Sequence, residues 1–379
     1  MNTTSDAIVV GAGVIGTAIA WRCAQRGIAV TLVDPDPTRG AWHTAAGMLA
    51  PITELHYTET PLLRLNLDSL ARYPAFVEEL SELTGMPTGF RECGTVSAAW
   101  DGADLGALQD LHGFLTQLGM RAELLDGRQL RALEPTLASG LPGGLLAADD
   151  HQVDPRLLHA ALLDAARRCG VRVLTTSAAI ICDGAAASGV TLADGTRVTA
   201  PVTVLAAGGW SATVDGLPVQ HRPPVRPVKG QTLRLRVPGG SGMRHVVRGS
   251  VKGSPVYVVP RVDGHVVVGA SSEEAGFDQS PRAGAVYDLL RDAQSLLPQL
   301  SEAVLEEVST GFRPGSPDNA PLIGPSELTG LVYATGHYRN GVLLTPVTAD
   351  AVADLVTTAT MPTVVEAFTP ARFRPAVPA

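Results

Sequence analysis

The chain has 379 residues, 45% hydrophobic and 17% charged, a length that suits two domains or one large domain carrying an inserted second. Its formal net charge of −8 speaks against a general binder of nucleic acid or of an anionic membrane. No apolar run approaches the roughly 20 residues of a spanning helix, and MNTTSDAIVV lacks a basic n-region, so the reading is a cytoplasmic enzyme without a secretory signal.

The first element is the apolar run Ala7–Val10, short enough for a buried parallel strand. Gly11, Gly13 and Gly16 follow as G-x-G-x-x-G, then a helical pattern through Ala18, Ile19 and Cys23 that Gly27 ends. IAVTLVD reads as the second strand and closes on Asp34. Strand, glycines, helix and terminal carboxylate in that order are the signature of a dinucleotide site: main chain approaches a pyrophosphate, and the acid accepts from a ribose hydroxyl. A tight βα turn with no ligand would leave Asp34 unexplained. NAD and FAD are not separated by these residues.

Gly40–Pro51 is a run of small residues with one methionine, suited to close approach of main chain to a flat ligand or to tight helix packing. Leu62–Gly85 is helical by period. FRECGTVSAAW reads as a strand, and a helix follows at LGALQDLHGFLTQLGM. Asp154 is placed to cap a helix whose first residue is Pro155, with Gly170 stopping it. A hairpin is expected at Asp194–Gly195, then the buried strand VTVLAAGG. From Val225 to about Val308 the segments alternate apolar and polar, as in an antiparallel sheet with one exposed face, with a helix between Pro281 and Leu297. Glycine-rich strand-and-turn segments then return. An apolar helix is expected over Val342–Val356, preceded by Arg339, and a cation beside a helix N-terminus is disfavoured unless an anion faces it. Cys23, Cys93, Cys169 and Cys182 have no ligand-like spacing and read as core thiols, with no metal site expected.

The motifs VVGAGVIG, AAGMLAP, QVDPRLL, VLAAGGWS, VYVVPR, GFRPGSPDNAPLIG, GHYRNGVLL and FTPARF together make the chain resemble the D-amino-acid oxidase family of flavoproteins, over nearly its whole length. AAGMLAP with GHYRNG is most similar to the glycine oxidase branch. The resemblance implies an α/β fold: a Rossmann-like FAD-binding domain of the GR2, p-hydroxybenzoate-hydroxylase-like type, with an inserted, mainly antiparallel β substrate domain. The first would comprise 1–85, 145–224 and 309–379, the second 86–144 and 225–308.

It further implies noncovalent FAD and oxidation of glycine, sarcosine or small D-amino acids, with oxygen giving hydrogen peroxide. A role in the thiazole branch of thiamine synthesis and a homotetramer are implied as well. Gly11, Gly13, Val14, Ile15 and Gly16 would take the first turn of FAD, and Asp34 its ribose. Ala41, Trp42, Ala46, Gly47, Met48 and Gly208 would lie along it. His337, Tyr338, Arg339, Asn340, Gly341, Val342 and Leu343 would wrap the ring, with a helix N-terminus at Gly341–Leu344 facing its negative charge. Arg313 would hold the substrate carboxylate beside Tyr257, and Arg339 would complete the pocket. No catalytic base is assigned, because hydride transfer to the flavin requires positioning of the substrate carbon and an amine that has lost its proton. Departures from the family pattern are Asp34 in place of Glu and the sequence Trp42-His43-Thr44 before the alanines. A broader D-amino-acid oxidase, a quinone-linked dehydrogenase and a flavin-binding protein without turnover stay open.

Overall fold

In the computed structural model, which describes residues 3–373, Ala7–Val10 lies inside a six-stranded sheet. From edge to edge the strands are Leu322–Pro325, Leu331–Thr335, Val202–Leu205, Ala7–Val10, Val30–Asp34 and Arg172–Thr175. All neighbours are parallel except the first pair. Such strands need cover on both sides, hence their continuous apolar runs. On one side the helices Val14–Gln25, Thr60–Thr84, Pro155–Arg168 and Thr345–Thr358 pack against one another and the sheet. On the other, Ile8, Val10 and Val33 meet Ile180, Val190 and Val198 of a four-stranded sheet.

The local signals work as the residue types dictate. Asp154 accepts the N–H groups of Arg156 and Leu157 and caps the helix that Pro155 opens. Gly85 ends Thr60–Thr84 in the left-handed conformation, at φ 72°. The last helix starts later than its apolar pattern suggests. It spans Thr345–Thr358, and Val342 to Leu344 belong to turns before it. Pro346 explains this: with no N–H to give, it favours the first helical turn. The helix therefore begins six residues beyond Arg339, and the expected conflict between that cation and bare helix amides does not arise.

A second sheet has eight strands in the order Val304–Gly315, Arg226–Arg236, His265–Gly269, Ser254–Pro260, Val246–Val251, Thr95–Ala99, Gly143–Ala147 and Glu123–Asp126. It is antiparallel apart from the pairing of Val246–Val251 with Thr95–Ala99. The expectation of one exposed face is corrected. Val256, Val258, Val266 and Val268 pack under the helix Ala283–Leu296, while Val259 and Val267 on the opposite face pack with Ala46 and Met48. The second face is covered because it meets the small-residue loop.

That loop is stapled from several elements. The His43 carbonyl accepts from Arg156 Nε at 3.0 Å, the Thr44 carbonyl from Thr232 Oγ1 at 2.8 Å and the Ala46 carbonyl from Arg261 Nη2 at 2.7 Å. Arg156 also forks onto Glu307, with bonds of 2.9 and 2.6 Å. Cys23 is buried and the other three cysteines are partly buried; all four are free thiols. No helix among the described residues is long and apolar enough to cross a membrane.

Candidate active site

The six-stranded sheet, the stapled loop and the eight-stranded sheet together line a cavity of about 740 Å³, within the usual range for cofactor and ligand sites. At one end stands the glycine turn. Gly11 has φ 106°, and a Cβ there would lie 2.5 Å from the Ala206 carbonyl oxygen; one on Gly16 would lie 1.9 Å from the Gly11 oxygen. These two glycines are required by the protein's own backbone. Gly13 is different: a Cβ there would meet nothing closer than Trp42 Cδ1 at 3.7 Å. Gly208, whose φ of 53° itself favours glycine, would carry a Cβ that meets nothing within 4 Å. Both border the cavity, so their missing side chains leave room for a ligand. Gly13 is also the N-cap of Val14–Gln25 and supplies no side-chain cap, leaving the first N–H groups of that helix to an anion.

Asp34 ends the second strand beside this turn. Its Oδ2 accepts the Ala12 N–H at 2.7 Å and its Oδ1 the Asp36 N–H at 2.8 Å. Burial raises its pKa above the ordinary 3.8, while those two bonds oppose the shift. Each oxygen keeps acceptor capacity toward a hydroxyl. Val14 and Ile15 line the same end, and Ala41, Trp42, Ala46, Gly47 and Met48 form the neighbouring wall. Gly47, at φ 75°, is held against the Val153 carbonyl.

The other end is built by side chains of the eight-stranded sheet. Arg313 lies across Gly230, where a Cβ would come within 2.3 Å of Nη1. Its Nη1 donates to the Ser271 carbonyl at 3.1 Å, and no ion pair to a carboxylate is found for it among the described residues. Tyr257 is seated in the same way: a Cβ on Gly269 would lie 2.4 Å from its hydroxyl. Burial pushes the Tyr257 phenol up; the charges of Arg313, Arg248 and Arg339 pull it down, and Glu54 adds to the rise. Three guanidinium charges thus act on one phenol. Arg339 is exposed, with its guanidinium carbon 5.2 Å from the Tyr338 ring centroid and Nη2 3.4 Å from the Tyr338 hydroxyl.

His337, Tyr338, Arg339, Gly341 and Val342 border the cavity. His337 is buried, its Nε2 is 3.1 Å from Thr348 Oγ1, and burial lowers its pKa to about 3, so the ring is neutral. The anticipated helix N-terminus at Gly341–Leu344 is a turn, in which the Leu344 N–H is spent on the Asn340 carbonyl. For the N–H groups of Gly341 and Val342, no hydrogen bond is found among the described residues. A donor pair stands where a helix end was anticipated. Three anticipated residues lie off the cavity: Gly16 packs on Gly11, Asn340 borders a smaller adjoining pocket, and Leu343 is core.

Two residues were missed. Arg248 lines the cavity and donates from Nη1 to Glu54 Oε1 at 2.7 Å. Its signal was present in the chain: Arg248 pairs with Tyr257 across the Lys252–Gly253 turn, so placing that hairpin puts both side chains on one face.

The model of the family "FAD dependent oxidoreductase" matches residues 6–355. The bifunctional protein ThiO/ThiG of Synechocystis is 37% identical over 378 residues, covering 98% of this chain and 55% of that protein. The chain thus spans about half the length of the bifunctional relatives it matches. The hydrogen cyanide synthase subunit HcnC of Pseudomonas aeruginosa is 30% identical, covering 99% of this chain and 98% of that one. The glycine oxidase of Geobacillus kaustophilus is 34% identical over 94% of both chains. Its crystal structure superposes with a TM-score of 0.91 over 98% of this chain and 100% of that one, at 32% identity.

Proposed function

The chain belongs to the FAD-dependent oxidoreductase family, with FAD as cofactor, and from that premise we propose that it oxidises glycine to the imino acid, with sarcosine and small D-amino acids as further substrates. Oxygen and water complete the reaction, yielding glyoxylate, ammonia and hydrogen peroxide from glycine. The observation that carries this reading is the Arg313 guanidinium, lying across Gly230 and bonded, among the described residues, only to a carbonyl. A guanidinium so placed has a fork free for a carboxylate.

When bound, FAD supplies the acceptor for the hydride of the substrate carbon. The protein's part is positioning. Arg313 fixes the carboxylate, Tyr257 adds a hydroxyl beside it, and the neighbouring turn offers the Gly341 and Val342 N–H groups to negative charge on the cofactor side. Neutral His337 takes no proton at working pH. The amine must arrive unprotonated, so activity rises above neutral pH.

Likeness to the ThiO/ThiG proteins supports a place in the thiazole branch of thiamine synthesis. We assign the six-stranded sheet and its covering layers to FAD and the eight-stranded sheet to the substrate, in a cytoplasmic homotetramer. Anaerobic titration with glycine, sarcosine, D-alanine and D-proline tests the reading. Bleaching of the flavin band by glycine, reversed by air with peroxide formed, supports it. Bleaching only by larger D-amino acids moves the substrate, reoxidation only by a quinone moves the acceptor, and no bleaching by any amino acid leaves a flavin protein without turnover.

A further inference from the structure

One buried donor at the end of the cavity proposed for FAD has no partner among the described residues. Trp42 stands on the short helix Ala41–Thr44 with 7% of its surface exposed, and its indole Nε1–H has no acceptor among the described residues. An indole nitrogen only donates, and a buried donor without a partner is uncommon in native structures. Trp21 also has a buried indole N–H without an oxygen or nitrogen partner, but it lies in the core beside the Cys169 thiol. Trp42 borders the cavity.

The direction of the donor follows from its neighbours. A Cβ on Gly40 would lie 2.9 Å from both Nε1 and Cδ1 of Trp42, and one on Gly13 would lie 3.7 Å from Cδ1. The Cδ1–Nε1 edge of the indole therefore runs along Gly40, and its Cδ1 corner faces Gly13, where the uncapped helix Val14–Gln25 begins. Its plane is fixed from behind. The His159 ring stacks on it with centroids 3.8 Å apart and planes 14° from parallel. His159 Nε2 lies 2.7 Å from the Ala12 carbonyl oxygen; since that oxygen only accepts, the proton is on Nε2. The Ala12 N–H is in turn bonded to Asp34. Trp42, His159, Ala12 and Asp34 form one connected unit around the glycine turn.

We propose that Trp42 donates its indole N–H to a pyrophosphate oxygen of bound FAD, joining the free N–H groups of the first helix turn. The proposal rests on the FAD reading above. An anionic oxygen is the partner these surroundings favour, because a helix N-terminus gathers negative charge.

The test compares wild type, Trp42→Phe and Trp42→His as holoenzymes. Phenylalanine keeps an aromatic ring beside His159 and removes the donor; histidine restores a ring N–H. Equilibrium dialysis should show FAD held about tenfold less tightly by Trp42→Phe, the loss of one hydrogen bond to a charged acceptor, with part recovered in Trp42→His. Phosphorus NMR of bound FAD should show one of the two pyrophosphate resonances displaced in Trp42→Phe, a change that loosened packing alone would not confine to one phosphorus. Equal affinities with unchanged phosphorus spectra overturn the proposal. Should Trp42→Phe not fold, a crystal structure of the wild-type holoenzyme decides: an indole nitrogen outside hydrogen-bond reach of every phosphate oxygen overturns it. A wild-type protein that takes up no FAD contradicts the cofactor reading itself, a distinct result.

Discussion

The two ends of the cavity are built by different means. At the glycine turn the proposed FAD site offers mostly main chain, with helix N–H groups and no side chains at Gly13 and Gly208, joined by the Asp34 carboxylate and the Trp42 indole. At the opposite end side chains carry it, with Arg313 and Tyr257 each lying on a glycine, Gly230 and Gly269, that only makes room. Apart from Gly208, the main-chain part of that end comes from one short contiguous unit. A side-chain site can be assembled from strands some eighty residues apart, such as those holding Arg313 and Gly230, which are neighbours through the pairing of Val304–Gly315 with Arg226–Arg236.

The sharpest way to test this division is Arg313→Ala. It should lower kcat/KM for glycine by roughly 10²–10³-fold, the cost of removing one partner of a buried charge pair, while FAD affinity stays unchanged. Gly230→Ala should act in the same direction without touching a functional group. The new Cβ would press within 2.3 Å of the guanidinium, and the displaced fork should cost about tenfold to a hundredfold in kcat/KM. At the other end, Gly13→Ala should leave the melting temperature close to wild type and weaken FAD binding about tenfold, since its Cβ enters open cavity. Gly11→Ala should instead lower the melting temperature, because its Cβ strikes the Ala206 backbone at a φ of 106°. If both glycine variants behaved alike, the distinction between structural and ligand-facing glycines would fail.

The smallest effect concerns the tether of the loop that carries Glu54. Asp150 is fully buried and accepts from the Ile52 N–H, the Thr53 N–H and Thr53 Oγ1. Burial raises its pKa from 3.8 to about 7. With the folded pKa raised, its stabilising contribution is complete below about pH 3.8 and is lost as pH rises through about 7. Denaturant unfolding across that window should show the wild type losing stability with rising pH, and Asp150→Asn a flatter dependence.

The cofactor end was the more legible in the chain, and the contrast above explains why. Gly11, Gly13, Gly16 and Asp34 fall within one βαβ unit, where spacing alone implies geometry. Arg313 and Tyr257 were reached only through resemblance, since nothing local marks a strand arginine as free. Arg248 was legible in principle but required hairpin register, and Glu54 required knowing which strand its loop approaches. The start of the last helix was misread because Val342, Leu343 and Leu344 satisfy an apolar period equally well as a buried turn; Pro346 held the better signal. The covered second face of the large sheet depends on what packs there, which alternation cannot report.

The three stapled carbonyls of His43, Thr44 and Ala46 bear on kinetics as well as shape. Their donors come from the helix Pro155–Arg168 (Arg156), the strand Arg226–Arg236 (Thr232) and the residue just after the strand Ser254–Pro260 (Arg261), while the loop itself walls the cavity proposed for FAD. Under the proposed FAD placement, opening that wall parts bonds whose donors lie outside it. Residence time of the cofactor should then track these guanidinium and hydroxyl clasps, and a variant such as Arg261→Met should shed FAD faster even with every contact to the ligand left in place.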